Sequence, residues 1–200
     1  MASSSSSGTR MTGPVREVVV DCPEWIDAVV EWDRLYEDDG ARMRLAVDLA
    51  RENVERRAGG PFGAAVFERG GRLVSVGVNS VVRLANSALH AEMVAFMLAQ
   101  RRVGSFSLAA PGLPHHEIFT SCEPCAMCLG ASLWSGVTRV VFGATGEDVR
   151  AVGFDEGPVF AESHAYLARC GIRVEPGPLR EAARAVLVRY RDLEGPVYNR

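Results

Sequence analysis

The sequence predicts an α/β protein, a three-layer α/β/α sandwich around a central mixed five-stranded sheet. A hairpin signature follows an amphipathic helix in the first half of the chain, and strands then alternate with helices to its end. The helix between the last two strands requires a crossover connection, so those two strands are expected to be parallel. Two hundred residues without an internal repeat suit one ordinary domain with a buried core.

The N-terminal half supplies the first helix and the hairpin. Apolar residues recur at helical spacing from Met43 onward, and Gly59-Gly60 is expected to close that helix. An Arg-Gly-Gly-Arg turn at 69–72 then separates two short apolar runs, as in a hairpin. In chain order we expect a strand at 16–21, a helix at 25–36, a helix from Gly40 to Val54, and hairpin strands at 63–67 and 73–78.

The C-terminal half is predicted to alternate helices and strands. Pro124 suits the first residue of a helix, because the N–H that it lacks is not needed there. An apolar stripe from Leu179 to Tyr190 indicates a terminal helix. The expected elements are helices at 91–102, 124–134, 158–170 and 179–190, and strands at 117–121, 138–142 and 171–174.

The chain divides into three regions. Residues 1–14 are serine-rich and predicted to be a disordered tail, residues 15–39 form an N-terminal extension without an assigned role, and residues 40–200 form the functional domain. No stretch reaches the roughly 20 apolar residues of a membrane span, and the serine run lacks the apolar core of a secretory signal. The clustered cysteines are unlike a disulfide framework. We therefore expect a cytoplasmic protein without a membrane partner.

The composition excludes several kinds of chemistry. The chain has 22 basic and 25 acidic residues, a formal net charge of −3, and every basic residue is an arginine. Without a lysine it cannot form a lysine Schiff base or offer the lysine of a Walker A loop. The mildly acidic balance argues against nucleic acid as a partner, because binding to phosphates requires a basic surface.

The residues that carry chemistry lie around His90 and around Cys125. Cys125 and Cys128 are three residues apart at a predicted helix start, so their thiols project from one face. The helix N-terminus favours thiolates, and two thiolates with one imidazole suit Zn²⁺. Three protein ligands leave the fourth position for a water, whose pKa the metal lowers to about 7. We expect one Zn²⁺ per chain on His90, Cys125 and Cys128.

Glu92, two residues after His90, is the expected catalytic residue. Its carboxylate suits proton transfer between a water and a substrate nitrogen better than it suits zinc binding. A closed structural zinc site with Cys122 as the fourth ligand is the alternative, although it gives Glu92 no role. A redox Cys-x-x-Cys pair is a weaker alternative, because it gives the histidine and the glutamate no role.

These motifs resemble those of a known superfamily. The pattern H-x-E…P-C-x-x-C is a signature of zinc deaminases, and here it reads His90-Ala91-Glu92 and Pro124-Cys125-Ala126-Met127-Cys128. From about Gly40 to about Ser163 the sequence resembles the cytidine-deaminase-like zinc hydrolases, and within them the bacterial guanine deaminases. The resemblance extends to the segments 59–64, 121–130 and 153–156, and to Asn79 and Trp134.

The resemblance implies a function and a substrate site. It implies hydrolytic deamination, most simply of guanine to xanthine and ammonia, in which a zinc-activated water attacks the ring carbon bearing the amine and Glu92 moves the protons. Asn79 and the Ala91 backbone would orient the base, Phe62 would wall it, and Glu156 would contact the purine. Glu156 stands where the family segment ends in aspartate. The resemblance also implies a homodimer whose C-terminal tail reaches the partner's site through an aromatic residue, here Tyr198.

Three alternatives to guanine deamination remain open at the level of sequence. The same chemistry acts on other small heterocycles and nucleosides, such as cytosine, cytidine, triazines or intermediates of antibiotic pathways. A tRNA adenosine deaminase shares the zinc motif but needs a basic surface. A zinc-stapled binding module without catalysis would lose its fold on chelation. A small nucleobase-type molecule is the expected partner.

Overall fold

The computed structural model describes residue 14 and residues 16–199. The expected disordered tail at 1–14 lies, apart from Pro14, outside the described residues. The helices are α1 (Ile26–Val29), α2 (Asp39–Glu55), α3 (Ala91–Val103), α4 (Ala126–Ser135), α5 (Gly146–Arg150), α6 (Ala161–Arg169) and α7 (Arg180–Asp192). The strands are β1 (Gly63–Glu68), β2 (Leu73–Val78), β3 (His116–Cys122), β4 (Arg139–Ala144) and β5 (Arg173–Pro176).

The five strands form one mixed sheet in the order β2-β1-β3-β4-β5. Strand β1 is antiparallel to both of its neighbours, β2 and β3. Strands β3, β4 and β5 are parallel, and helices connect them as a parallel crossover requires. The hairpin and the parallel last pair that the sequence predicts are both confirmed.

Helices cover both faces of the sheet and complete the predicted three-layer sandwich. The alternation of side chains along β1 sends Ala65 and Phe67 into a core shared with α2 and α7. Ala64 and Val66 point the other way, into a core shared with α3, α4 and α6. Because β1 is buried on both faces, it reads in the sequence as a continuous apolar run.

The predicted strand at 16–21 is wrong, because this segment has no regular secondary structure. Val18 and Val19 are 67% and 64% exposed, so its apolar side chains have no sheet face to cover. Outer carbonyl groups of the edge strand β2 bind side chains instead of a neighbouring strand. Arg102 Nη1 donates to the carbonyl of Val74 at 3.0 Å, and the Cys22 thiol donates to that of Val76 at 3.6 Å.

The predicted helix at 25–36 is also wrong over most of its length. Only α1 is helical, and Val30 adopts an extended conformation. Leu35 forms an isolated antiparallel bridge with Arg72, and the Tyr36 ring packs on Phe67 at 5.3 Å between centroids. The contacts of Leu35 and Tyr36 with the hairpin therefore determine the conformation of this segment, rather than the amphipathic pattern of its sequence.

Other differences concern element boundaries. Helix α4 begins at Ala126, with Cys125 as its N-cap, rather than at Pro124. Helix α6 begins at Ala161 rather than at residue 158. The short helix α5, which the sequence did not predict, carries a capping box between Thr145 and Asp148. Among the helices described, none combines the length and apolar character needed to cross a membrane.

Candidate active site

The first turns of α3 and α4 meet at one edge of the sheet. Strands β2 and β3 are both antiparallel to β1, so they run in the same direction and end at the same edge. The chain enters α3 after β2 and α4 after β3. His90 is the N-cap residue of α3 and Cys125 that of α4, which brings the two sequence motifs together.

The three predicted zinc ligands form one cluster. Ligand atoms of His90, Cys125 and Cys128 all lie within 4.8 Å of one another. The sulfurs of Cys125 and Cys128 lie 3.5 Å and 3.7 Å from Nδ1 of His90. A tetrahedral zinc with Zn–S of about 2.3 Å and Zn–N of about 2.05 Å separates a sulfur from a nitrogen by about 3.6 Å. The donor set and its spacing therefore fit Zn²⁺.

The electrostatics of the cluster favour a thiolate. Hydrogen bonds from Cys128 and His90 lower the pKa of the Cys125 thiol to about 4. The same bond from Cys128 raises the pKa of Cys128 well above its usual value. Burial by itself lowers the pKa of His90, but the hydrogen bond to Cys125 and the neighbouring Glu92 raise it by more. A divalent cation would replace the shared protons and allow both cysteines to bind as thiolates.

Cys122 is not part of this cluster. Within the described residues the group of candidate ligands has three members, and the buried Cys122 side chain belongs to the apolar core under α2 and α7. Burial raises the pKa of its thiol well above the usual value. The closed four-ligand site considered from the sequence is therefore not formed.

Glu92 lies in the first turn of α3, next to the cluster. Its side chain is 7% exposed, and burial, with the charge of Cys125, raises the pKa of its carboxyl. A carboxyl group whose pKa is raised holds a proton more readily than an ordinary one, which suits proton transfer. Glu92 thus lies next to the candidate ligands, and its catalytic role stays a prediction.

Asn79 and Phe62 are joined by a backbone hydrogen bond, and Ala91 directly follows the candidate ligand His90. Asn79 is fully buried, and its Nδ2 has no hydrogen-bond partner within the described residues. Its backbone N–H donates to the carbonyl of Phe62 at 3.0 Å, which holds the two residues together. Ala91 is the first residue of α3, so its N–H has no acceptor within the helix. These groups are available to a polar planar ligand.

Glu156 approaches the site from the loop after α5. It is 7% exposed, and burial, with the charges of Cys125 and Glu92, raises the pKa of its carboxyl to about 8. Its carbonyl accepts from the N–H of Ala126 at 2.9 Å, which ties the loop to the start of α4. Glu156 therefore lies close enough to Cys125, Glu92 and His90 for their charges to affect its pKa, and contact of the four predicted residues with a base stays a prediction.

The C-terminal tail enters the site of its own chain. The Tyr198 ring lies 5.2 Å from that of Phe154 and 6.4 Å from that of His90, centroid to centroid. Asn199 holds the tail through two hydrogen bonds with the backbone of Asp155, of 2.7 and 3.0 Å. The sequence assigned Tyr198 to a partner's site, and no periodic pattern in the tail could have shown this intrachain contact. Exchange of tails between two chains stays a prediction.

The sequence also matches a known family model. Residues 36–144 match the model of the cytidine and deoxycytidylate deaminase zinc-binding region. The matched range starts before α2 and runs through β4, so it includes the three candidate ligands and Glu92.

Several relatives are similar over most of their length. The chain is 35% identical over 120 residues to the guanine deaminase of Bacillus subtilis, which covers 60% of this chain and 73% of that protein. The solved structure of a guanine deaminase from Nitrosomonas europaea is 41% identical with a TM-score of 0.84, over 90% of this chain and 100% of that one.

A further similar solved structure carries a purine analogue. This solved structure, of a singly substituted NE0047 protein in complex with 8-azaguanine, is 42% identical, with a TM-score of 0.83 over 88% of this chain and 98% of that one. The fold, the ligand cluster and these similarities agree. The chain belongs to the cytidine and deoxycytidylate deaminase family of zinc-dependent hydrolases, close to the guanine deaminases.

Proposed function

We propose that this protein hydrolyses guanine to xanthine and ammonia. The observation that supports the proposal is a cluster of three candidate zinc ligands with a buried glutamate beside it, near an Asn79 amide nitrogen that has no partner within the described residues. A structural zinc site needs neither the glutamate nor the unpaired amide. The guanine deaminases of Bacillus subtilis and Nitrosomonas europaea, and the relative that binds 8-azaguanine, support a purine base as substrate.

His90, Cys125 and Cys128 would hold the metal. When bound, zinc supplies a water whose pKa is lowered to about 7 as the nucleophile. Cys125 and Cys128 are three residues apart at the start of a rigid helix, so their spacing is fixed before the metal binds. His90 is at the corresponding point of α3, which completes three corners of a tetrahedron.

Glu92 would carry the protons of the reaction. It takes a proton from the attacking water and delivers it to N3 of guanine, the basic ring nitrogen beside C2. After the C2–O bond has formed, it transfers the second proton to the exocyclic amine, the C2–N bond breaks, and ammonia leaves. The sum is guanine plus water giving xanthine plus ammonia, with no redox change.

The base would be bound by four residues, Asn79, Ala91, Phe62 and Glu156. Asn79 Nδ2 and the Ala91 N–H are donors that a purine can satisfy, and the Phe62 ring offers an apolar wall. The buried Glu156 carboxyl suits the polar edge of the base, and its longer side chain replaces the family's aspartate. Tyr198 lies over His90 and would leave or close the site as the substrate exchanges.

A substrate screen tests the proposal. Ammonia release is measured with the zinc-loaded protein on guanine, guanosine, cytosine, cytidine and adenine. Guanine is expected to react fastest, giving one xanthine per ammonia. Activity on cytidine or cytosine without activity on guanine would overturn the choice of substrate and retain the zinc chemistry.

We also propose that the protein is a homodimer that pairs through the exposed face of α4 formed by Met127, Gly130 and Trp134. The i, i+3, i+7 spacing puts the three on one side of the helix, and Trp134 is 80% exposed. A Cβ at Gly130 would meet open space, so a second backbone has room to approach. A large exposed apolar side chain of this kind is typical of an interface.

Light scattering after gel filtration tests the dimer. The unmodified chain is expected at twice its 21.6 kDa mass, and Trp134→Glu at the monomer mass. Glu181→Ala, on α7 in the opposite layer, is the control and is expected to remain dimeric. A monomeric unmodified protein, or a dimeric Trp134→Glu, contradicts the proposal.

Two further expectations are proposals of the same kind. We propose that residues 40–200 are the deaminase domain and that the 15–39 extension covers the edge strand β2, as the Cys22 contact with β2 supports.

We also propose that the protein is located in the cytoplasm, which the five free cysteines support.

A further inference from the structure

A buried amide near the end of α2 joins two segments of the site. The Asn53 side chain is fully buried, and its Nδ2 donates to the carbonyl of Gly60 at 2.8 Å and to that of Asn79 at 3.0 Å. Both N–H groups of the amide are thereby used. One side chain thus links α2, the loop that enters β1, and the residue that ends β2.

The loop at Gly59 and Gly60 packs too closely on its neighbours to leave room for a side chain at either position. A Cβ at Gly59 would lie 2.8 Å from Asn53 Nδ2 and would overlap the Asn79 carbonyl oxygen. A Cβ at Gly60 would lie 3.1 Å from Asn79 Oδ1 and would overlap the Tyr198 hydroxyl. The two glycines therefore allow the loop to approach Asn79 closely, and Asn53 holds it there.

Asn79 is consequently fixed through its backbone on both sides. Its N–H donates to Phe62 and its carbonyl accepts from Asn53. Its side-chain oxygen accepts only a long bond from the Val81 N–H, at 3.4 Å. The shorter hydrogen bonds that fix Asn79 are therefore those of its backbone.

We propose that Asn53 is a positioning residue for substrate binding: its two hydrogen bonds set the backbone of Asn79 and so aim the Asn79 amide at the base. This inference rests on the proposed function, since it assigns Asn79 to the purine. It adds a residue that does not touch the substrate and lies outside the zinc motif.

The alternative is that Asn53 stabilises only the end of α2, where its own carbonyl accepts from the Ala58 N–H. Asn53→Leu separates the two roles. Leucine has a similar size and no donor, so the Gly60 and Asn79 carbonyls lose their bonds while the main-chain bond from Ala58 remains. Val47→Ala, a core truncation on the same helix, is the matched control for lost stability.

Two readouts decide between these roles. For Asn53→Leu we expect the KM for guanine to rise about tenfold and kcat to change less than about threefold, whereas Val47→Ala keeps the KM of the unmodified protein. Hydrogen exchange at 59–63 and 79–82 is expected to accelerate in Asn53→Leu and not in Val47→Ala. If Asn53→Leu does not fold, Asn53→Ser, which removes at least one donor, is measured with the same expectation.

The inference would be overturned if Asn53→Leu lowered the unfolding temperature but left the KM and the hydrogen exchange at 79–82 unchanged. Asn53 would then be a purely structural residue. The exchange measurement needs no substrate. If the unmodified protein did not deaminate guanine, the proposed function would fail, and exchange at 79–82 would still decide whether Asn53 positions Asn79.

Discussion

At the scale of single residues, the Tyr198 side chain places its hydroxyl near the candidate ligands, with the ring 6.4 Å from that of His90. The hydroxyl is buried and has no hydrogen-bond partner within the described residues, and burial raises its pKa. A buried hydroxyl without a partner costs about 1–3 kcal/mol. We expect a bound base to provide the missing hydrogen-bond partner, because its polar edges would lie near this hydroxyl.

Tyr198→Phe tests this interpretation. Without ligand, we expect the free energy of unfolding to rise by about 1 kcal/mol, because the unsatisfied hydroxyl is removed. With guanine, we expect KM to rise, because the base loses a partner. The measurements are urea unfolding of the ligand-free protein and steady-state kinetics. A lower stability of Tyr198→Phe would show that the hydroxyl has a partner in solution.

The sequence predicts the zinc ligands and Glu92 because their spacing is local. The two cysteines are three positions apart and the histidine and the glutamate two, and these short spacings suffice to identify the chemistry. Asn53 has no such pattern. Its only signal is a polar residue on the buried stripe of α2, and its partners lie 7 and 26 residues away.

At the scale of elements, the accuracy of the sequence predictions depends on what each segment packs against. The core helices are predicted because their apolar periodicity matches the face that they bury, and the hairpin because two apolar runs flank the turn at 69–72. The segments 16–21 and 25–36 failed because their contacts are with the edge of β2 and with the hairpin turn, which no local periodicity describes. The intrachain contacts of the tail at 193–199 also have no local signal, because they join Tyr198 and Asn199 to residues 44 or more positions away.

Helix α5 offers a pH-dependent test. Asp148 caps the helix with Thr145 and accepts from Arg180 of α7 at 2.9 Å. The hydrogen bond from Arg180 lowers the pKa of this carboxyl from 3.8 to about 2. A lowered pKa in the folded state means that the stabilisation is complete above about pH 4 and is lost as the pH falls towards 2.

We therefore expect Asp148→Asn to be less stable than the unmodified protein by about 1 kcal/mol at pH 6, a modest value because the Arg180 side chain is half exposed. The difference is expected to shrink as the pH falls below 4. Urea unfolding of both proteins from pH 6 to pH 3 measures it. A difference independent of pH would mean that the carboxylate charge plays no part.

At the scale of the molecule, β3 links a structural ion network to the chemical site. At its start, Glu117 accepts from Arg42 at 3.1 Å and from Arg139 at 3.3 Å, with the Glu117 and Arg42 side chains buried. At its other end, Cys122 leads into the zinc motif. The network ties α2, β3 and β4 together at the edge of the sheet opposite the site.

Glu117→Gln tests whether the ion network at the start of β3 stabilises the fold without affecting catalysis at the other end of the strand. We expect it to lower the free energy of unfolding by about 3 kcal/mol, because two arginines lose their buried counter-charge. Glu31→Gln, which breaks the exposed pair with Arg34, is expected to change it by less than about 0.5 kcal/mol. The kcat and KM of folded Glu117→Gln are expected to be unchanged, and a large fall in kcat would contradict the separation.

The proposed role of Glu92, which is to move the protons of a zinc-dependent deamination, is tested by Glu92→Gln. Glu92→Gln keeps the size of the side chain and all three ligands but cannot carry the protons. Metal content and ammonia release from guanine are measured on the same preparation. We expect one zinc per chain, as in the unmodified protein, with kcat lowered about 10²–10⁴-fold. A zinc-loaded Glu92→Gln protein that deaminated guanine at the unmodified rate would contradict the account.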